Sequence, residues 1–212
     1  MPKSAVIEHL DSDFAFGELD HEAWKKAEPV KIKSNWNGMR APVKRRFEAR
    51  ILWSDSALYV KFDANQGEPP VINKFPKLYQ KTDRLWERDV CELFLAPDRS
   101  EPDRYFEFEV APTGEWLDLQ IRICDEGRKT NKEYASGMQT MTRIERDLIV
   151  MAFKVEWSAF GARPVPGDIW LGNLYRCVGK SKTRGYLAWS ATRTKEPDFH
   201  VPEKFGEFKF EK

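Results

Sequence analysis

The 212-residue sequence has little that would send it to a polyanion or into a bilayer. Its 35 Lys+Arg against 34 Asp+Glu leave a formal charge of +1, with the two signs interleaved along the chain. No net field draws it to nucleic acid or an anionic lipid surface, so neither is expected as a partner. No apolar run approaches the length of a membrane span, and "MPKSAVIEHLDSDF" contains no stretch long enough for a signal peptide. As the sequence stands it is expected in the cytoplasm, or outside it if a leader has been removed. The three cysteines, Cys91, Cys124 and Cys177, are odd in number and scattered. Their spacing builds neither a disulfide framework nor a zinc site. His9, His21 and His200 form no metal-ligand spacing with one another or with cysteine. There is no G-x-S-x-G, no P-loop and no dinucleotide fingerprint, so the common hydrolase and nucleotide chemistries have no motif here.

What the sequence does have is aromatics: eight tryptophans and fourteen phenylalanines. Most are needed for a core, and the surplus is free to serve as stacking surfaces. Strand patterns dominate. "RRFEARILWSDSALYVKFDA" (45–64) is two β-rich runs around Ser-Asp-Ser, which predicts a hairpin. In "RYFEFEVAPTGEWLDLQIRI" (104–123), Phe106, Phe108 and Val110 alternate with Tyr105, Glu107 and Glu109. That period of two predicts one buried face and one wet face. "DLIVMAFKVEW", "GDIWLGNLYRCV", "YLAWSAT" and "FGEFKFEK" read as further strands. Helical signals are short: "LDHEAWKKA" (19–27), with Asp20 as N-cap and Trp24 turned inward, and one turn at 157–168. The segments 64–82 and 124–140 read as the longest loops. Many short strands without βα alternation predict an all-β jelly-roll sandwich of two antiparallel sheets, formed by residues 1–212 as a single domain.

"RLWERDVCELFLAP" (84–97) holds the chemistry worth following. Residues 90–95 are apolar on both parities except at Glu92, so the strand is covered on both sides and Glu92 lies among apolar neighbours. A carboxylate there needs partners. It either pairs with an arginine or accepts hydroxyl hydrogen bonds from a ligand on a concave face. Glu87 and Asp89, two apart at the strand entrance, are expected as solvated rim charges.

Five segments, in order along nearly the whole chain, resemble the family 9 carbohydrate-binding modules and their relatives in the wider DOMON-like group. These are "LDHEAWKKA", "ARILWSDSALYVKFDA", "LWERDVCELFLAP", "YFEFEVAPTGEWLD" and "AWS…DFHVPEKFGEFKF". The resemblance implies a jelly-roll sandwich that binds a free sugar or the end of a sugar chain between two aromatic rings. Polar residues would hold its hydroxyls, and calcium ions accompany such modules. Carried onto this sequence, the first ring is Trp86, the second Phe199 and the hydroxyl acceptor Glu92, with Glu109 and His200 as further contacts. Three positions depart from the pattern. Phe199 replaces a tryptophan, Ala111 an asparagine, and Glu109 stands where a hydroxyl-binding arginine is found.

The resemblance therefore implies non-catalytic carbohydrate binding linked to carbohydrate breakdown, with a mono- or oligosaccharide as partner. Two alternatives come from other classes. One is a haem-binding electron-transfer domain, whose axial ligands would come from Met39, Met138, Met141, Met151 and His200. The other is a glycoside hydrolase with Glu87, Asp89 or Glu92 as acid and base. Asn173 and Trp189 are expected to serve the core.

Overall fold

A computed structural model describes residues 2–212, and it is built almost wholly of strands. One sheet contains β1 (Ser4–His9), β3 (Ser34–Asn35), β6 (Val90–Ala96), β7 (Arg104–Val110), β8 (Trp116–Cys124), β9 (Gly127–Asn131), β12 (Ile169–Val178), β13 (Gly185–Ala188) and β14 (Gly206–Phe210). The other contains β2 (Val30–Ile32), β4 (Phe47–Trp53), β5 (Ala57–Asn65), β10 (Gln139–Ile144) and β11 (Leu148–Glu156). The hydrogen-bonded order runs β10-β11-β5-β4-β1-β14-β12-β6-β7-β8-β9. The inner faces of the two curved sheets meet, and the architecture is a β-sandwich.

One feature of that sandwich differs from two purely antiparallel sheets. Strand β1 runs parallel to β14 over residues 4–7 and parallel to β4 over residues 8 and 9, joining the two sheets. Antiparallel neighbours are usually set by hairpins. Here β1 and β14 are the first and last strands of the chain, so no hairpin fixes their relative direction.

Period-two alternation fills the space between the sheets. Trp53, Phe62, Phe108, Phe153, Trp157, Trp170 and Phe210 are buried there in edge-to-face and tilted contacts, and Phe208 stacks on Trp189. Glycine permits the closest approach. Gly172 and Gly206 are register partners, and a Cβ on Gly172 would lie 2.2 Å from the Phe94 carbonyl oxygen and 2.7 Å from the Phe208 ring.

The outer faces are also covered. Segment 10–27 lays Leu10, Leu19 and Trp24 over Leu52, Tyr59 and Val150. The expected helix there is a 3₁₀ turn, Glu22–Lys25, and Trp24 is buried as anticipated. Its cap is His21, whose Nδ1 accepts from the Ala23 amide; Asp20 instead pairs with Arg143. On the other side, segment 189–205 brings Phe199 and Phe205 onto the outer face of β6, β7, β8 and β12. The hairpin at 47–65 matches the sequence reading, whereas the loop expected at 124–140 contains β9.

Candidate functional site

The outer face of β6, β7, β8 and β12 is where the chemistry lies. Its floor is set by strand register. Glu92 lies directly opposite Glu109, Phe94 opposite Glu107, and on the other flank Tyr175 opposite Glu92. Because successive side chains alternate, Glu107 and Glu109 share a face, and both point the same way as Glu92. Leu119 and Ile121 of β8 continue that face, and Phe199, His200 and Tyr186 close its margins. The result is an open cleft of about 870 Å³.

Trp86 stands on the rim. It belongs to a 3₁₀ turn, Leu85–Glu87, that starts at Arg84 in the left-handed region (φ 57°). Fully buried Leu85 pins the turn, so the next side chain is turned outward; Trp86 is 37% exposed and lines the cleft. Arg184 ties the turn down, donating to the carbonyls of Trp86, Arg88 (3.0 Å) and Gly179 (2.8 Å). Phe199 lines the same cleft but is only 8% exposed. Its ring stacks on Tyr175 at 4.0 Å and 8°, so one of its faces is occupied. His200 also lines the cleft, with Nδ1 2.8 Å from the Tyr105 hydroxyl and Nε2 3.9 Å from Glu107 Oε2. Burial, helped by the charge of Arg128, pulls its pKa down to about 3, so the ring is neutral.

Glu92 and Glu107 open onto the cleft, while Glu109 is 0% exposed behind them. No arginine pairs with Glu92, which corrects one of the two readings left open for it. Its nearest polar company is the Cys177 thiol, 3.5 Å from Oε1, and two further carboxyls. Both oxygens of Glu109 and Oε2 of Glu107 are buried without a hydrogen-bond partner. Burial pushes the Glu107 carboxyl up to about 7. It holds Glu92 and Glu109 well above the usual range, and the neighbouring carboxyls add to the shift.

The alternation of β7 therefore does not mark a wet face: Tyr105, Glu107 and Glu109 are all buried, and segment 189–205 folds over Tyr105 and Glu107 through His200 and Phe205. Asp89 is not a rim charge either. It is buried, accepting from the Gly179 amide (2.8 Å) and Gln66 Nε2 (3.3 Å). Gln66 Oε1 in turn accepts from buried Arg176 (2.5 Å). Glu87 is exposed on the rim, paired with Arg84. Of the carboxylates considered as acid and base for a hydrolase, Asp89 is tied into a structural network, while Glu87 on the rim and Glu92 on the floor both line the cleft. The methionines considered as haem ligands also lie apart from His200. Met138 and Met151 are in the inter-sheet core, Met141 packs under segment 10–27, and Met39 is exposed. Asn173 and Trp189 are buried as expected, Asn173 bonding the Tyr175 hydroxyl and both backbone groups of Ser190.

The sequence reading did not pick out Glu107, Tyr186 or Arg184 for the site. A signal for Glu107 was present: it shares β7 parity with Glu109, so any role for one places the other alongside it.

The family model for carbohydrate-binding family 9 matches residues 19–210. The chain belongs to carbohydrate-binding family 9. Solved structures share its fold along nearly the full length. One, described as a candidate carbohydrate-binding protein from Bacteroides uniformis ATCC 8492, has a TM-score of 0.73 at 20% identity, covering 100% of both chains. A family 9 module from Caldicellulosiruptor kristjanssonii in complex with cellotriose has a TM-score of 0.69 at 17% identity, covering 99% of this chain and 94% of that one. The module from the same organism in complex with glucose has a TM-score of 0.69 at 18% identity, covering 99% and 96%. No curated protein sequence matches the chain significantly.

Proposed function

We propose that this family 9 protein binds a free sugar or the end of a glucan chain in the cleft beside Trp86, without cleaving it. The observation that carries the reading is Trp86, an aromatic ring with open surface on the rim of a cleft large enough for sugar units and floored by carboxyl groups. A sugar ring presents C–H faces that stack on an indole, and its hydroxyls need directional acceptors. Glu92 and Glu107 supply the acceptors on the floor, with His200 beside them. Phe199, backed by Tyr175, offers its remaining face as the second and smaller contact. Glu109 acts from behind, through Glu92 and Glu107, because its side chain has no access of its own. The reading takes residues 1–212 as a single jelly-roll module. It is supported by family membership and by a shared fold with modules bound to cellotriose and to glucose.

Isothermal titration against a panel of mono- and oligosaccharides, glucose and cellotriose among them, tests it. One-site binding of at least one member is expected. No heat from any of them at millimolar concentration would overturn the reading.

A further inference from the structure

Three carboxyl side chains from two adjacent strands converge at the floor of the cleft with no basic side chain in contact with them. Glu92, Glu107 and Glu109 each place an oxygen within 4.8 Å of the other two. For three atoms so spaced, a point exists no farther than about 2.8 Å from each (4.8 Å divided by √3), only slightly beyond the 2.3–2.6 Å of calcium–oxygen bonds. A small rotation of any side chain closes the difference.

Direct pairing of Glu92 with Glu109 across the strands is the arrangement that sheets ordinarily avoid, since like charges opposite one another repel. The usual remedy, a basic side chain, is not found. Among the described residues no Lys or Arg nitrogen lies within 4.0 Å of these carboxylates. Arg184 spends its guanidinium on three carbonyls, and Arg128, on the cleft margin, is exposed and makes no ion pair with the three. Neutral His200, 3.9 Å from Glu107, brings no charge.

The second, independent observation is Glu109 itself. It is fully buried, it faces the other two carboxyls, and no hydroxyl, amide or basic group reaches either of its oxygens, the Glu107 carboxyl being its one side-chain neighbour within hydrogen-bond reach. Buried polar atoms are nearly always satisfied, and an unpartnered carboxylate is among the costliest exceptions. We propose that Glu92, Glu107 and Glu109 hold a hard divalent cation, calcium by size, whose remaining coordination positions face the cleft and take sugar hydroxyls. The all-oxygen donor set selects a hard ion. A bare ion suits the shielded position of Glu109 better than an ammonium group on a sugar ring, which would have to pass Glu92 and Glu107. Calcium takes six to eight oxygens, and three carboxylates leave several positions open. Leu119 and Phe94 around them carry no side-chain acceptor, and the Tyr175 hydroxyl is engaged, accepting from Asn173 Nδ2 at 2.8 Å and donating to the Phe199 carbonyl at 2.9 Å. The open positions therefore point to the cleft. The hydroxyl half of the proposal rests on the sugar-binding reading above; the ion half does not.

The experiment pairs two titrations on the full chain. Calcium alone is titrated into chelator-stripped protein by calorimetry and followed by thermal melting, with wild type beside Glu109→Gln. Sugar is then titrated in calcium and in EDTA. Wild type is expected to bind one calcium with Kd on the order of 1–100 µM. At about a hundred times Kd the ion adds about 2.7 kcal/mol, which raises Tm by ~5–10 °C in a chain of this size. Glu109→Gln should melt cooperatively in EDTA yet lose the calcium shift and at least tenfold in affinity; should it fail to fold, Glu107→Gln serves the same purpose. Sugar affinity should fall at least tenfold in EDTA. No calcium binding to wild type, or undiminished binding to the folded variant, overturns the site. Calcium binding with equal sugar affinity in EDTA overturns the hydroxyl role and leaves sugar recognition standing. Calcium binding with no sugar bound in either buffer supports the ion site and contradicts the function proposed for the cleft.

Discussion

Glu109→Gln should stabilise the ion-free protein, and by an amount that grows with pH. Gln has the shape of a protonated Glu, so at pH 4.5 the two chains should melt together. The folded chain holds the three carboxyls protonated well beyond the point at which an unfolded chain ionises them. For groups raised in this way, the stability is fully present below the unfolded value, about 4.3, and is lost as pH rises through the folded one. Glu107 sets the scale: the gap between about 4.3 and about 7 corresponds to roughly 4 kcal/mol once ionised. Glu109 is fully buried between two carboxyls and is raised at least as firmly, so removing its charge should recover a similar amount. For 212 residues that is ~8–16 °C in Tm at pH 8.

The other groups facing the trio are common to both chains. Arg128 and Arg184 lie near the trio in both, and the Cys177 thiol stays neutral because burial pushes it up. Tyr105 is raised in the same way. His200, held down at about 3, works in the opposite direction: its stability is present above about 6.5 and is lost as pH falls. It cancels in the difference between the two melting curves. The assay is thermal unfolding in EDTA from pH 4.5 to 8. A variant that is no more stable than wild type at pH 8, or a Tm difference flat across the range, would refute the burial of three uncompensated carboxyls.

Three further outcomes follow from the same geometry. Gly172→Ala should lower stability by several kcal/mol or prevent folding, since its Cβ meets the backbone carbonyl of Phe94 at 2.2 Å, a group that cannot swing aside; soluble yield and Tm report it. Arg176→Met should cost about 3–5 kcal/mol in denaturant unfolding, because it strips the carbonyls of Arg45 and Asn65 and the Gln66 side chain of their donor and leaves buried Asp89 with less compensation. Trp86→Ala, at a ring more than one-third exposed, should cost about 1–2 kcal/mol, against about 3–5 for buried Trp157→Ala; equal losses would place Trp86 in the core.

Strand periodicity made much of the sandwich legible. The 47–65 hairpin announced itself through alternation around Ser54-Asp55-Ser56, and the apolar parities of 90–95 correctly placed Glu92 in a covered strand. The same reasoning failed at β7. Phe-Glu alternation is what a half-wet strand looks like, and nothing within 104–110 reveals that Phe199 and Phe205, some ninety residues later, will fold over the Glu side. Nor does one strand disclose its register with another. Glu92 and Glu109 are seventeen residues apart in sequence, and only pairing across β6 and β7 puts them face to face. Asp89 was misjudged for the same kind of reason, since its partners Gly179 and Gln66 come from distant segments. Strand β1 escaped notice because a short run with exposed Ser4 and Val6 carries little pattern, and its parallel neighbours are set by closure of the whole chain.

Sugar recognition in the cleft beside Trp86 is tested most directly by titrating cellotriose and glucose into wild type and Trp86→Ala side by side, in calcium, by calorimetry. The ring carries the stacking energy, so wild type should bind at one site. The variant, still folded with a Tm only a few degrees lower, should lose at least tenfold in affinity. A folded Trp86→Ala that bound either sugar as tightly as wild type would contradict the account.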